Sequence, residues 1–263
     1  MKKVVVICYL ILFLISGTIG VITSANGFEA VTFKGPGELV LKGRLTKPNG
    51  DGPFPAIVLL HACRGITAYS EAWAERLVKW GYLVLQVDSL EPRGLTNDCG
   101  APPQISMETR LADAYATRSY LTGLQFVDSN RIGAMGWSYG GGTVLSAVST
   151  PIGNKKRENY FKAGIAFYPR CREERASLEA PLLVLIGSRD DWTPTDTCES
   201  MKKIWSKKGV SHELILKIYS GAYHGFDTEG LDETYRGHRM KYDPKAASDA
   251  IMQVKDFFER HLK

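Results

Sequence analysis

The hexapeptide Gly136-Trp137-Ser138-Tyr139-Gly140-Gly141 constrains this chain more than any other segment. It reads G-x-S-x-G-G. An apolar strand pattern, Arg131 to Met135, leads into it, and a small-residue helix pattern, Gly142 to Ala147, follows. Strand, tight turn and helix around a central serine is the context of a nucleophile elbow. Such a turn strains the serine backbone and leaves no room for side chains two residues to either side, which glycine satisfies. The Ser138 hydroxyl is then exposed at a strand end. The Tyr139 N–H opens the next helix, where backbone donors favour an anion.

The rest of the chain alternates in the same sense. Glu29 to Lys47 alternates apolar and polar residues around Gly35-Pro36-Gly37, which predicts two antiparallel strands and a turn. Continuous apolar runs predict buried parallel strands at Ala56 to His61, Leu83 to Asp88, Ala163 to Tyr168, Pro181 to Gly187 and Glu213 to Tyr219. Helical spacing marks Ala72 to Trp80, Met107 to Leu121, Pro194 to Lys208 and Pro244 to Leu262. This order predicts an α/β fold, a doubly wound and mostly parallel sheet with N-terminal antiparallel strands, helices on both faces, and ligands at the carboxyl ends of strands. The segments from Ser89 to Ile105 and from Asp227 to Asp243 are long enough to shape a pocket there.

A nucleophilic serine needs a base, and the base needs an orienting acid, in the chain order Ser, Asp/Glu, His for this fold class. His224 follows the last strand between glycines, in Gly221-Ala222-Tyr223-His224-Gly225, and is the candidate base. His212 precedes that strand, His238 sits among charges in an exposed setting, and His261 lies on the terminal helix, solvated. The acid is expected in the exit loop after Gly187. There the pattern G-x-x-D-x-x-T-P selects Asp190, with Asp191 as the alternative. The second oxyanion donor is expected in the loop His61-Ala62-Cys63-Arg64-Gly65, from the N–H of Cys63 beside that of Tyr139.

Composition narrows the classes further. The 263 residues are 44% hydrophobic and 23% charged with a net charge of +5, and no Lys/Arg run speaks for nucleic-acid binding. Met1-Lys2-Lys3, the uncharged stretch Val4 to Ile22 and the small residues Thr23-Ser24-Ala25 predict a secretory signal over residues 1–25 ahead of one domain, 26–263. The stretch also approaches membrane-spanning length, so an uncleaved anchor over residues 4–22, the only membrane link expected, stands as the alternative. Either way the domain is exported, periplasmic or secreted. Beyond Cys8 there are four cysteines, Cys63, Cys99, Cys171 and Cys198, which allow three pairings. An exported chain favours disulfides over free thiols, and with no C-x-x-C present no metal site is expected. The placement of the loops favours Cys63 with Cys99 and Cys171 with Cys198.

Together these residues resemble the dienelactone hydrolase family of the α/β-hydrolase superfamily, over roughly Ala30 to His261. The resemblance rests on Leu59 to Gly65, Trp80-Gly81-Tyr82 with Val87-Asp88-Ser89, Gly136 to Gly141, Gly187 to Asp190 and Ala222 to Phe226. It implies an α/β-hydrolase fold and a cofactor-free hydrolase of small-molecule esters. The chain departs from the family pattern in three places. Ser138 replaces a cysteine nucleophile, Ala62 stands where a glutamate gates that cysteine, and Asp227-Thr228 stands where an arginine binds the substrate carboxylate. The expectation is therefore a carboxylester hydrolase, lactones included, working through Ser138, His224 and Asp190. A serine peptidase or acyltransferase of the same fold, or a non-catalytic envelope binding protein, are the competing readings. Arg64, Arg93, Arg170 and Arg172 fall in loops at the active edge, either solvated or favouring anionic substrates.

Overall fold

A computed structural model describes residues 27–151, 160–172, 176–206 and 212–263. The proposed signal or anchor lies outside them. Eight strands form one sheet: β1 (Glu29–Lys34), β2 (Val40–Thr46), β3 (Phe54–Leu60), β4 (Leu83–Asp88), β5 (Val127–Trp137), β7 (Gly164–Phe167), β9 (Leu182–Gly187) and β10 (Leu214–Tyr219). Their spatial order is β1-β2-β4-β3-β5-β7-β9-β10. β2 runs antiparallel to both β1 and β4, and every pairing from β4 to β10 is parallel. This is the α/β-hydrolase fold.

The reason lies in the burial of each run. β1 and β2 alternate exposed and buried residues because one face is solvated, whereas β9 is buried at all six positions. Helices α1 (Ala68–Lys79), α2 (Met107–Thr122), α3 (Tyr139–Ala147), α4 (Thr195–Ser206) and α5 (Pro244–Leu262) surround the sheet. α1 starts four residues before the apolar periodicity predicts. Its start is a cap rather than a core residue: the Thr67 N–H donates to Ser70 Oγ at 3.1 Å, a reciprocal contact at the N-terminus. α2 is capped by Ser106 Oγ, which accepts from the Thr109 N–H at 3.1 Å.

Two short antiparallel pairs escape the sequence patterns. β6 (Ser149–Pro151) pairs with β8 (Ala176–Leu178), and β11 (Asp232–Tyr235) pairs with β12 (His238–Lys241). The second pair lies within the segment 227–243 and docks onto the site, since the Lys241 N–H donates to the His224 carbonyl at 3.2 Å. Beneath the carboxyl edge of the sheet, Trp73, Trp137 and Phe167 pack ring against ring, with centroids 5.5–6.4 Å apart. All three rings of this aromatic floor are buried from solvent. Among the described residues, no helix is long and apolar enough to cross a membrane.

Candidate active site

Ser138 terminates β5 and caps α3, with φ 51° and ψ −113°. A non-glycine residue there is strained by about 1–3 kcal/mol, which the surrounding packing must over-determine. The packing does so at two glycines. A Cβ on Gly140 would overlap the Leu60 carbonyl, and one on Gly136 would come within 2.6 Å of the Gly140 backbone. α3 can approach β3 this closely only with glycine at position 140, and β5 only with glycine at position 136.

His224 Nε2 lies 3.1 Å from Ser138 Oγ, and His224 Nδ1 lies 2.8 Å from Asp190 Oδ2. These three residues come from the exits of β5, β10 and β9. His224 and Asp190 are both buried. Asp190 Oδ1 accepts from the N–H groups of Trp192 (3.0 Å) and Thr193 (2.8 Å), and Oδ2 accepts from the Thr193 hydroxyl at 2.8 Å. A carboxylate held by this many donors keeps its aim. It fixes the proton on Nδ1, so Nε2 presents a lone pair to Ser138. Asp191 sits elsewhere, exposed, with Oδ1 3.5 Å from His238 Nδ1.

The loop after β3 faces Ser138 from the other side. Cys63 is bonded to Cys99, and the Asp98 N–H donates to the Cys63 carbonyl at 2.7 Å. The loop carrying the Cys63 N–H is thus tied twice to the segment 89–105. The second disulfide joins Cys171, after β7, to Cys198. Cys198 lies in α4 rather than in a strand-exit loop.

His61, at the end of β3, is buried and structural. Its Nε2 accepts from the Ser89 N–H at 3.1 Å and its Nδ1–H donates to the Ala62 carbonyl at 2.6 Å, so the ring is neutral. Burial first, and then the buried Arg110 guanidinium, hold its pKa well below the ordinary 6.5. Arg110 donates to the His61 carbonyl, which clamps the start of the loop.

Two cavities meet at Ser138. The first, about 370 Å³, is lined by Tyr69, Trp137, Tyr168, His224, Leu231 and Met240 among others. Behind its wall Asp227 is buried and accepts from both the Tyr69 and Tyr168 hydroxyls, the latter at 3.0 Å. Burial pushes the Asp227 carboxyl above its usual range and both phenols upward as well. The second cavity, about 540 Å³, runs between the Cys63–Cys99 bridge, Tyr139 and the segment Arg170–Arg172. Trp192 borders both and stands 5.2 Å from His224, ring centre to ring centre.

Several surface expectations change here. His238 is half-buried, stacked on Trp192 at 4.9 Å. His261 accepts shelter against Glu213, at 2.9 Å, instead of standing in solvent. Arg93 forms a two-pronged pair with the buried Asp113, both contacts at 2.8 Å. Arg64 pairs with Glu233 at 2.7 Å and covers the Tyr235 ring at 4.0 Å. The Tyr69–Asp227–Tyr168 cluster and the Arg110 clamp carry no signal in the sequence. Their partners are far apart in the chain, and no local pattern marks them. Among the described residues, no group of three or more His, Cys, Asp or Glu side chains is placed to hold a metal ion.

The Dienelactone hydrolase family model matches residues 41–262, most of the chain. This protein belongs to the dienelactone hydrolase family. Among its relatives is a Synechocystis sp. protein with a provisional carboxymethylenebutenolidase assignment, 26% identical over 241 residues, covering 86% of this chain and 94% of that one. Another is a probable 2-oxo-3-(5-oxofuran-2-ylidene)propanoate lactonase of Bradyrhizobium sp., 28% identical over 237 residues, covering 83% and 88%. In three dimensions the fold matches a Thermogutta terrifontis thermophilic esterase solved with propionate bound. The TM-score is 0.68 at 19% identity, covering 89% of this chain and 94% of that one. In this chain the fold brings Ser138, His224 and Asp190 into one hydrogen-bonded line at the sheet's carboxyl edge.

Proposed function

We propose that this protein is a serine hydrolase that cleaves carboxylic esters or lactones through Ser138, His224 and Asp190. The observation that carries the reading is the unbroken path from Ser138 Oγ to His224 Nε2 (3.1 Å) and from His224 Nδ1 to Asp190 Oδ2 (2.8 Å). Ser138 Oγ attacks the carbonyl carbon while His224 Nε2 takes its proton. The C–O bond to the alcohol breaks as His224 returns that proton to the leaving oxygen. Water, deprotonated by the same imidazole, then attacks the acyl-enzyme and regenerates the Ser138 hydroxyl. The N–H groups of Tyr139 and Cys63 receive the oxyanion. Each such donor is worth about 3–4 kcal/mol in the transition state. Asp190 steadies the imidazolium and need not take a proton itself.

The domain, residues 26–263, is read as exported. Two disulfides suit an oxidising compartment, and the charged, then apolar, N-terminus suits a signal. Fluorophosphonate labelling of the oxidised parent, of Ser138→Ala and of His224→Ala tests the chemistry. Labelling is expected for the parent alone, followed by hydrolysis of short 4-nitrophenyl esters. A folded parent that neither labels nor hydrolyses any ester refutes the reading.

A further inference from the structure

The two cavities at Ser138 differ in charge, and the difference assigns the two arms of the substrate. His224 borders the first cavity and not the second. The leaving oxygen must take its proton from His224 Nε2, so the alcohol arm extends into the first cavity and the acyl arm into the second. The charged groups of the first cavity are Arg64, already paired to Glu233, and Glu229, with Asp227 behind the wall. Both phenols on that wall are engaged by Asp227 and offer the ligand little but ring surface. Among the described residues, a carboxylate in this cavity would meet no free Lys or Arg side chain.

The second cavity has the opposite character. Arg170 and Arg172 line it, and both reach solvent. Neither makes a hydrogen bond or ion pair with another described residue. Among the described residues the one carboxylate on its wall, Asp98, is buried and consumed: it accepts from the N–H groups of Gln104 (2.6 Å) and Ile105 (3.1 Å). Arg172 shares this cavity with Tyr139 and Ser138, which places positive charge on the cavity that reaches the nucleophile. The Cys171–Cys198 bridge ties the segment between the two arginines to α4 and so limits their spread.

Resting on the hydrolase reading above, we propose that the substrate is an ester or lactone whose acyl arm ends in an anion, such as a half-ester of a dicarboxylic acid, with an uncharged, apolar alcohol arm. Arg170 and Arg172 receive the distal anion while Ser138 attacks the ester carbonyl. Charge-assisted arginine–carboxylate bonds of this kind give about a tenfold to hundredfold preference.

The test compares matched chromogenic esters on the full, oxidised protein. Mono-4-nitrophenyl adipate against 4-nitrophenyl hexanoate places a carboxylate on the acyl arm. A 3-carboxy-4-nitrophenyl ester against its 4-nitrophenyl counterpart places one on the alcohol arm. The ratio of kcat/KM for adipate over hexanoate is expected to exceed ten at low salt and to shrink in 0.5 M NaCl. In the Arg170→Gln/Arg172→Gln variant that ratio is expected to fall about tenfold, through KM of the half-ester, while the carboxylated phenol is disfavoured by the parent. A ratio near one, or one unmoved by the double variant, overturns the proposal. It is the result expected if Glu173 and Glu174, next in the chain, neutralise the arginines. Preference for the carboxylated phenol overturns it too. A protein that hydrolyses no ester and takes no fluorophosphonate refutes the underlying hydrolase reading, and the proposal with it.

Discussion

Replacing Asp190 with asparagine separates the two jobs of that carboxylate. Oδ1 accepts two backbone N–H groups, from Trp192 and Thr193, and Oδ2 faces His224 Nδ1. An asparagine amide must keep its oxygen toward the two N–H donors, because the reverse orientation would set its NH2 against them. The NH2 then points at Nδ1. That nitrogen must accept, so the ring proton moves to Nε2 and faces Ser138, where a lone pair is needed. The fold survives, since the Thr193 hydroxyl can turn to the Tyr168 carbonyl 3.1 Å away. A wrong tautomer in a Ser-His-Asp site costs about 10⁴ in kcat, equivalent to about 5 kcal/mol. Steady-state hydrolysis of a 4-nitrophenyl ester, with circular dichroism and Tm to confirm folding, measures it. Asp191→Asn, exposed and facing His238, is expected to stay within about twofold of the parent. An Asp190→Asn variant within tenfold of the parent, or a larger loss in Asp191→Asn, would show that the tautomer argument is wrong.

Gly140→Ala sets a methyl into the Leu60 carbonyl, so soluble yield and Tm should drop sharply; a folded, fully active variant would contradict the close approach of α3 to β3. Opening Cys63–Cys99 by a double serine substitution frees a 36-residue separation, and Cys171–Cys198 a 27-residue one. Chain entropy assigns each about 3–4 kcal/mol, readable from urea unfolding. The first variant should also lose kcat, because its bridge holds the loop of the Cys63 N–H, and equal kcat losses in both would count against that role. His61 has a folded pKa below its unfolded 6.5, so its contribution is complete above pH 6.5 and is lost as pH falls below that value. The slope approaches about 1.4 kcal/mol per pH unit at most. Asp227, with its raised pKa, acts in the opposite sense, so the informative quantity is the parent compared with His61→Asn. Identical pH dependence of urea stability in the two would rule His61 out as the source.

Much of this architecture is local and legible in the sequence. The elbow is legible because its strand, turn and helix occupy neighbouring residues and its glycines answer a steric need within one turn. Buried parallel strands announce themselves as apolar runs, and the placement of Asp190 and His224 follows from which strands they leave. Helix starts set by caps, such as Thr67 with Ser70, are faint because one hydroxyl outweighs four residues of periodicity. What the sequence by itself determined is therefore the order of strands and helices and the residues at the carboxyl edge. Tertiary structure alone decided which of those residues meet. Asp190 rather than Asp191 faces His224 because the Trp192 and Thr193 N–H groups orient it. Tyr69 finds Asp227 across 158 residues of chain, and β11–β12 folds over the site through contacts with Trp192 and His224. Such contacts have no spacing or periodicity, since their partners are brought together only by the closing of the sheet and its helices.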